Sequence, residues 1–378
     1  MIVRWLESLA ERGLALRNRV LSSPGFQRWA ARFPLTRFVA RRRASALFDL
    51  TAGFVYSQVL FAAVRLRLLE TIRDGPRTLE ELAPVLGLSL DASQRLLDAA
   101  ASLRLVERRG ARYGLGIHGC SYIGNPAVAR LVEHHAMLYR DLADPVALLR
   151  GELPGTEINR FWSYASPGAA PSSEPPSGGQ VAAYSELMAS SIPLLAEDIL
   201  EAYPVDRHQR MLDVAGGEGA FVEAVASRAP RLALTLFDLP PVAERASERI
   251  SRAGLSSRVT VERGDLFRDP LPTGADLVSL VRVLHDHDDA QALRLLQAIR
   301  RALTPGGVLL VAEPMRGTSG AEAMGDAYFG FYLLAMGQGR PRSPQELADL
   351  LVRAGFARLR LRRTRRPILL QVISAEAV

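Results

Sequence analysis

Met211-Leu212-Asp213-Val214-Ala215-Gly216-Gly217-Glu218-Gly219-Ala220-Phe221 is the stretch whose reading decides the fold. A short apolar run breaks into a glycine-rich turn and then enters a helical pattern. That sequence of events reads as the first strand, turn and helix of a nucleotide-binding α/β unit. Small residues at the turn let the backbone approach a ligand closely. The next strand-like run, residues 232–238, ends in Asp238, an acid standing about where a ribose hydroxyl lies in such a unit. Residues 258–265 end in Asp265, and the run from Ala275 to Leu284 leads into His285 and Asp286. Four successive strands thus deliver polar residues to the carboxyl edge of a sheet, where open α/β sheets bind their ligands. The dinucleotide fingerprint G-x-G-x-x-G is not met, because counting from Gly217 its third glycine falls on Val222.

This ordered series resembles the class I S-adenosylmethionine-dependent O-methyltransferases of the plant-type small-molecule family. The resemblance implies an α/β, Rossmann-like methyltransferase sheet preceded by a mainly helical, winged-helix dimerisation domain. It also implies S-adenosyl-L-methionine as methyl donor, with the glycine turn at its methionine end, Asp238 on its ribose and Asp265 with Leu266 beside its adenine. The expected donor site comprises Asp213, Ala215, Gly216, Gly217, Gly219, Asp238, Leu239, Asp265, Leu266 and Arg282. Ala215 departs from the pattern, standing where the family usually has glycine.

Leu284-His285-Asp286 matches the element that carries the family's catalytic histidine. A histidine at the rim of the fourth strand suits general-base removal of a hydroxyl proton, so His285 is the expected base, with Asp286 beside it. Glu313 matches one of two family glutamates flanking the base and is expected to orient its ring. Pro341 stands where the second would be. Asp286, Asp288 and Asp289 with His287 form an acidic cluster that also suits the first turn of the next helix, and no metal is expected there.

With 378 residues the chain has length for two ordinary domains. Its 48% apolar and 23% charged content is that of a globular protein. No run of about twenty apolar residues stands out as a span, so an integral membrane protein is not expected. One cysteine, Cys120, excludes an internal disulfide, no secretory signal stands at the start, and the expected compartment is the cytoplasm. There is no lysine. Residues 1–45 hold ten arginines against two glutamates, whereas the remainder holds 37 arginines against 38 acids. The basicity therefore belongs to the N-terminal arm, and a nucleic-acid surface on the catalytic domain is not supported.

Four segments are expected: an arm over 1–43, a helical and winged-helix domain for dimerisation and substrate closure over 44–165, a linker over 166–179, and the catalytic domain over 180–378. Within the arm, Ile2, Leu6, Leu9, Leu16 and Val20 recur at helical spacing among arginines. Such a helix docks on protein, here the rest of the chain or a second subunit, or lies on an anionic membrane. Thr78-Leu79-Glu80-Glu81 has the form of a capping box opening one helix, a second runs over 92–105, and short extended pieces follow as a wing. This module could in principle read DNA, as a methyltransferase-like regulator would. Residues 92–105 offer only Arg95 and Arg104 against Asp98, too little basic surface for that role.

Adjacent His134 and His135 point about 100° apart on a helix and so read as a satisfied or exposed pair rather than ligands of one metal. The same stretch supplies Met137 and Trp162 as candidate pocket residues. Tyr184 and Met188 match an aromatic-x-x-x-Met element that lies by the substrate in the resembled family. Tyr328, Phe329, Tyr332 and Met336 fall in a segment whose aromatic and thioether surface could wall a long apolar pocket or simply pack as core. Residues 37–43, 47–58 and 324–332 look more closely like the bacterial 1-hydroxycarotenoid O-methyltransferases. That resemblance implies a homodimer acting on a long, apolar, hydroxylated carotenoid, methylating its tertiary hydroxyl in phototrophic bacteria. A phenolic or polyketide acceptor is the alternative.

Overall fold

The structure is a computed structural model that describes residues 2–162 and 191–378. Tyr184, Met188 and the expected linker lie outside the described residues. The chain folds as two compact units, Met1–Gly124 and Asn125–Val378.

The first unit begins with α1 (Ile2–Ser22), α2 (Pro24–Arg32) and the 29-residue α3 (Arg37–Arg65), followed by α4 (Leu68–Thr71). Of α3 only Ala63 and Val64 are buried. By length and composition α3 is long and apolar enough to cross a bilayer, the one such helix among the described residues. This corrects the expectation that no segment has that character; four arginines in its first seven residues and Asp49 interrupt the apolar run in the bare sequence. Next come β1 (Arg77–Thr78), α5 (Leu79–Leu86), α6 (Leu90–Ser102), β2 (Val106–Arg109), β3 (Arg112–Leu115) and α7 (Ile117–Ile123). The Thr78 hydroxyl accepts from the Glu81 amide while the Glu81 carboxylate accepts from the Thr78 amide, so the capping box forms as written. The strands pair antiparallel in the order β1-β3-β2, completing the winged-helix arrangement.

The second unit opens with α8 (Pro126–Asp141), α9 (Pro145–Arg150), α10 (Glu157–Trp162) and α11, helical over 191–202. The stretch 126–162, expected in the N-terminal domain, belongs to this unit. Leu138, Leu148, Ile158 and Trp162 bury themselves against Tyr332, Leu333 and Met336, and that apolar packing draws the helices to the catalytic side.

The sheet is built from β4 (Arg210–Val214), α12 (Ala220–Arg228), β5 (Ala233–Asp238), α13 (Pro240–Arg252), β6 (Val259–Arg263), β7 (Ala275–Val281), α14 (Asp289–Ala302) and β8 (Leu303–Glu313). A π-helical turn (Ala323–Tyr328) continues into α15 (Phe329–Met336), and α16 (Pro344–Arg353), β9 (Phe356–Arg362) and β10 (Gln371–Ala377) close the chain. Strand order is β6-β5-β4-β7-β8-β10-β9; the first five run parallel, and β10 is antiparallel to both its neighbours. Successive strand residues face opposite sides of a sheet. Accordingly Leu309 and Val311 of β8 join one apolar cluster, with α14 and α16, while Leu310 and Ala312 join the other, with α12 and α13. Burial on both faces leaves the carboxyl ends of β4 to β8 as the edge on which polar side chains gather.

Candidate active site

At the end of β4 the chain must turn without colliding with its own sheet. Gly216 is required there because a Cβ would meet Asp213 Oδ2 at 2.6 Å and the Leu236 side chain at 3.0 Å. Ala215 takes φ +54°, a left-handed backbone strained for any residue with a Cβ, at the position where the resemblance expects glycine. The turn feeds α12 through Gly219. Asp213 is fully buried; its Oδ1 accepts from Ser279 Oγ at 2.5 Å while Oδ2 has no partner, and burial pushes its carboxyl up to about 7. Asp238, half-buried, accepts from the Gly217 amide and the Leu239 amide at 2.7 Å each, and burial raises its carboxyl to about 6. Asp265 Oδ1 accepts from the Phe267 amide at 2.8 Å.

Ala215, Gly217, Asp238, Leu239, Asp265, Leu266 and Arg282 together line one cleft, with Phe237, Gly264 and Phe267. Asp213, Gly216 and Gly219 shape it from behind. An orphaned carboxylate oxygen under a turn that admits no Cβ at position 216, with an acid presented from the next strand, fits a polar nucleoside-bearing ligand.

A second cavity, about 260 Å³ and mostly apolar, adjoins it. Trp162, Tyr328, Phe329 and Tyr332 are on its wall together with His134, His285, Asp286 and Met324. Arg282 and Asp286 line both cavities. Of the expected pocket residues, Met336 lines the first cleft instead, because it sits at the end of α15, and Met137 packs on the apolar cluster behind Tyr332. The polar groups on this wall neutralise one another. Tyr332 Oη accepts from Trp162 Nε1 at 2.9 Å and lies 2.6 Å from His134 Nε2; His135 Nε2 is 2.8 Å from Tyr328 Oη. Burial lowers His134 to about 4, so its ring is neutral, and its tautomer sets the direction of the bond to Tyr332. The histidine pair is satisfied, one of the two readings the sequence allowed.

His285 lies 5% exposed on a single 3₁₀ turn, Leu284–Asp286. Its Nε2 is 3.1 Å from Asp286 Oδ1; its Nδ1, buried, is 3.7 Å from Glu313 Oε1, beyond a hydrogen bond. Burial opposes the ring's charged form, but the carboxylates of Asp286 and Glu313 outweigh it and its pKa lies above the ordinary histidine value. Asp286 is raised by its own burial, against the pull of His285.

Glu313 holds the turn rather than the ring. Its Oε1 accepts from the amides of Val283 at 3.1 Å, Leu284 at 2.5 Å and His285 at 3.2 Å. On the opposite side stands a residue the sequence reading did not single out, Arg342, whose side chain is fully buried. Its Nη1 donates to the Leu284 carbonyl and its Nη2 to the His287 carbonyl, both at 2.7 Å, and Nε donates to Asp289 at 2.9 Å. The Arg340 amide donates to the His285 carbonyl at 2.9 Å. Gly339, at φ +76°, lets the strap lie flat, since a Cβ there would stand 2.2 Å from the His285 oxygen. The acidic cluster is divided among other tasks: Asp288 caps α14 and Asp289 pairs with Arg340 and Arg342. No grouping that could hold a metal ion occurs among the described residues.

Fold and site together define an S-adenosylmethionine-dependent methyltransferase of class I. The chain belongs to the O-methyltransferase family: a family model of the O-methyltransferase domain matches residues 139–357, and one of the O-methyltransferase dimerisation domain matches 48–122. The second match supports a homodimer acting on a small molecule. Among curated proteins the chain is 43% identical to demethylspheroidene O-methyltransferase of Cereibacter sphaeroides, over 94% of this chain and 93% of that one. It is 41% identical to the same enzyme of Rhodobacter capsulatus, over 91% and 85%, and 34% identical to acetylserotonin O-methyltransferase of Mus musculus, over 85% and 86%. Among solved structures it is similar to human N-acetylserotonin methyltransferase in complex with the donor, with a TM-score of 0.73 at 27% identity, covering 88% of this chain and 97% of that one.

Proposed function

We propose that the protein methylates the tertiary hydroxyl of an acyclic 1-hydroxycarotenoid. The observation that carries this reading is the apolar cavity beside the donor cleft, toward which His285 and Asp286 present a titrating pair. With Trp162, Tyr332 and His134 bonded to one another, its wall offers a hydrocarbon chain few unsatisfied polar groups to desolvate. Similarity to two demethylspheroidene O-methyltransferases supports the same acceptor class.

Bound S-adenosylmethionine supplies an electrophilic methyl group. The chain supplies position and a proton acceptor. Nδ1 of His285 is buried toward Glu313, so Nε2 takes the hydroxyl proton as the acceptor oxygen enters beside Asp286, whose Oδ1 lies 3.1 Å away. A tertiary alcohol is too weak an acid to ionise beforehand, so the proton leaves as the carbon–oxygen bond forms. Asp286 stabilises the imidazolium that results. Glu313 and Arg342 hold the turn so that the base meets the acceptor oxygen in line with the methyl carbon, and alignment of that kind supplies much of the rate. Asp238 binds the ribose, and Tyr328, Phe329 and Tyr332 contact the acceptor.

A carotenoid is dissolved in membrane, and the arginine-rich arm supports peripheral contact of a cytoplasmic homodimer with an anionic bilayer. From residue 48 onward the exposed apolar face of α3 falls within the dimerisation match, which supports a second copy as its cover. The test is incubation with methyl-labelled donor and a panel of hydroxylated carotenoids and phenols. Label in the carotenoids bears out the proposal, and label confined to phenols overturns it. His285→Ala is expected to lower single-turnover rate about a hundredfold or more while donor affinity is kept; a rate near wild type would remove His285 as base.

A further inference from the structure

We infer that the tip of the α2–α3 hairpin, residues 24–43, is the part of the arm that enters the bilayer, an inference resting on the membrane contact proposed above. Residues 12–48 contain nine arginines and no acid. Six of them, Arg28, Arg32, Arg37, Arg41, Arg42 and Arg43, lie in residues 24–43 and are all exposed. Between them the chain turns through Phe33-Pro34-Leu35-Thr36, and the apolar side chains of this region point outward: Leu35 is 82% exposed, Phe38 71% and Trp29 51%.

The tip is nevertheless built, not frayed. Thr36 Oγ1 donates to the Ala30 carbonyl at 2.8 Å, the Phe33 amide donates to Trp29, and the Arg37 amide donates to Phe33. Trp29 and Phe33 stack at 5.0 Å between ring centroids. An ordered tip with leucine and phenylalanine at its apex and arginines behind them has the amphipathic form that inserts apolar side chains between lipid head groups while guanidinium groups meet phosphate.

Charge decides between this occupant and a second copy. A partner subunit would bring the same acid-free segment, and residues beyond the arm are nearly neutral overall. Residues 24–43 precede residue 48, where the dimerisation match begins. An anionic bilayer supplies the missing negative charge.

The experiment measures sedimentation of the full chain with vesicles of phosphatidylcholine alone and of phosphatidylcholine mixed with phosphatidylglycerol. The wild type is expected to bind the mixed vesicles and to leave them at about 0.5 M salt, where charge attraction is screened. Leu35→Asp with Phe38→Asp is expected to weaken binding more than about tenfold, as loss of two inserted apolar side chains requires. A second variant, Arg41→Gln with Arg42→Gln and Arg43→Gln, is expected to bind more weakly at low salt and to show a shallower salt dependence, since three of the nine arginines are removed. Both variants should elute as dimers with unchanged melting temperature. A wild type that ignores anionic vesicles overturns the membrane reading and this inference with it. If wild type binds and the Leu35/Phe38 variant binds equally well, the contact lies elsewhere on the arm and only this inference falls. Dissociation of that variant into monomers assigns the hairpin to the second subunit and also overturns it.

Discussion

Replacing Arg342 by methionine tests the strap that holds the turn carrying His285, the proposed base. Methionine keeps an unbranched side chain in the space but removes every donor. The carbonyls of Leu284 and His287, both on buried residues, then lose their 2.7 Å partners. A buried acceptor left without a donor costs about 1–3 kcal/mol. The Leu284 carbonyl keeps the His287 amide at 3.2 Å, so the His287 carbonyl alone is orphaned and the loss is about 1–3 kcal/mol, reduced somewhat because a buried cation no longer has to be desolvated. Asp289 keeps its pairing with Arg340 and contributes little. At about 2–4 °C per kcal/mol for a unit of this size, the catalytic unit should melt roughly 2–12 °C lower by calorimetry. The reaction should suffer more than the fold, because a misplacement of about 1 Å at the reacting centre costs on the order of a hundredfold. Since His285 and Asp286 sit on the same turn, they move together, so turnover should drop without a shift in its pH profile. Arg342→Lys should recover part of the stability but not the fork that reaches two carbonyls. A melting temperature within a degree of wild type together with a turnover number within twofold would refute the strap.

Asp238 is raised to about 6 by burial, and only its ionised form accepts from two ribose hydroxyls; calorimetric affinity for S-adenosylhomocysteine should therefore fall as pH drops through 6. Asp238→Asn should flatten that dependence, leaving the share due to Asp213 near 7, and equal slopes in both proteins would remove Asp238 from the site. Asp286→Asn takes away the chief charge favouring the imidazolium, so the acidic limb of kcat/KM should move to lower pH while the maximal rate falls; a limb that stays put would mean another group titrates. Ala215→Gly relieves a left-handed alanine and should stabilise by about 0.5–1 kcal/mol after the added unfolded-state freedom is subtracted, read as a small rise in melting temperature, with a fall counting against the strain.

Much of the sheet was legible because β4 to β8 obey local rules: apolar runs of strand length, glycine or acid at the carboxyl end, helices between. The capping boxes at Thr78 and Ser343 show the same local determination. Most residues expected at the donor cleft are on its wall, since a parallel strand projects its terminal residue to a fixed edge. Three features were not legible. Arg342 reads as one more surface arginine in an arginine-rich chain, and only the return of the chain after α15 brings it under the turn. Glu313 was expected at the imidazole, yet three amides of the 3₁₀ turn reach its oxygen first, and no spacing encodes that. The stretch 126–162 was grouped with the N-terminal domain because a Pro, Gly and Ser-rich segment follows it, whereas apolar packing on α15, made across more than 150 residues of chain, fixes its place.

The common wall of the two cavities carries a thermodynamic consequence. Arg282 and Asp286 line both cavities, so a shift of either side chain on filling one cavity alters the other. Whatever factor the acceptor imposes on the donor's dissociation constant, the donor must impose on the acceptor's. Donor analogues and long apolar alcohols should then behave as linked ligands: saturating one changes the apparent affinity for the other, and substitution at Asp286 changes that linkage factor where substitution at Asp238 leaves it alone.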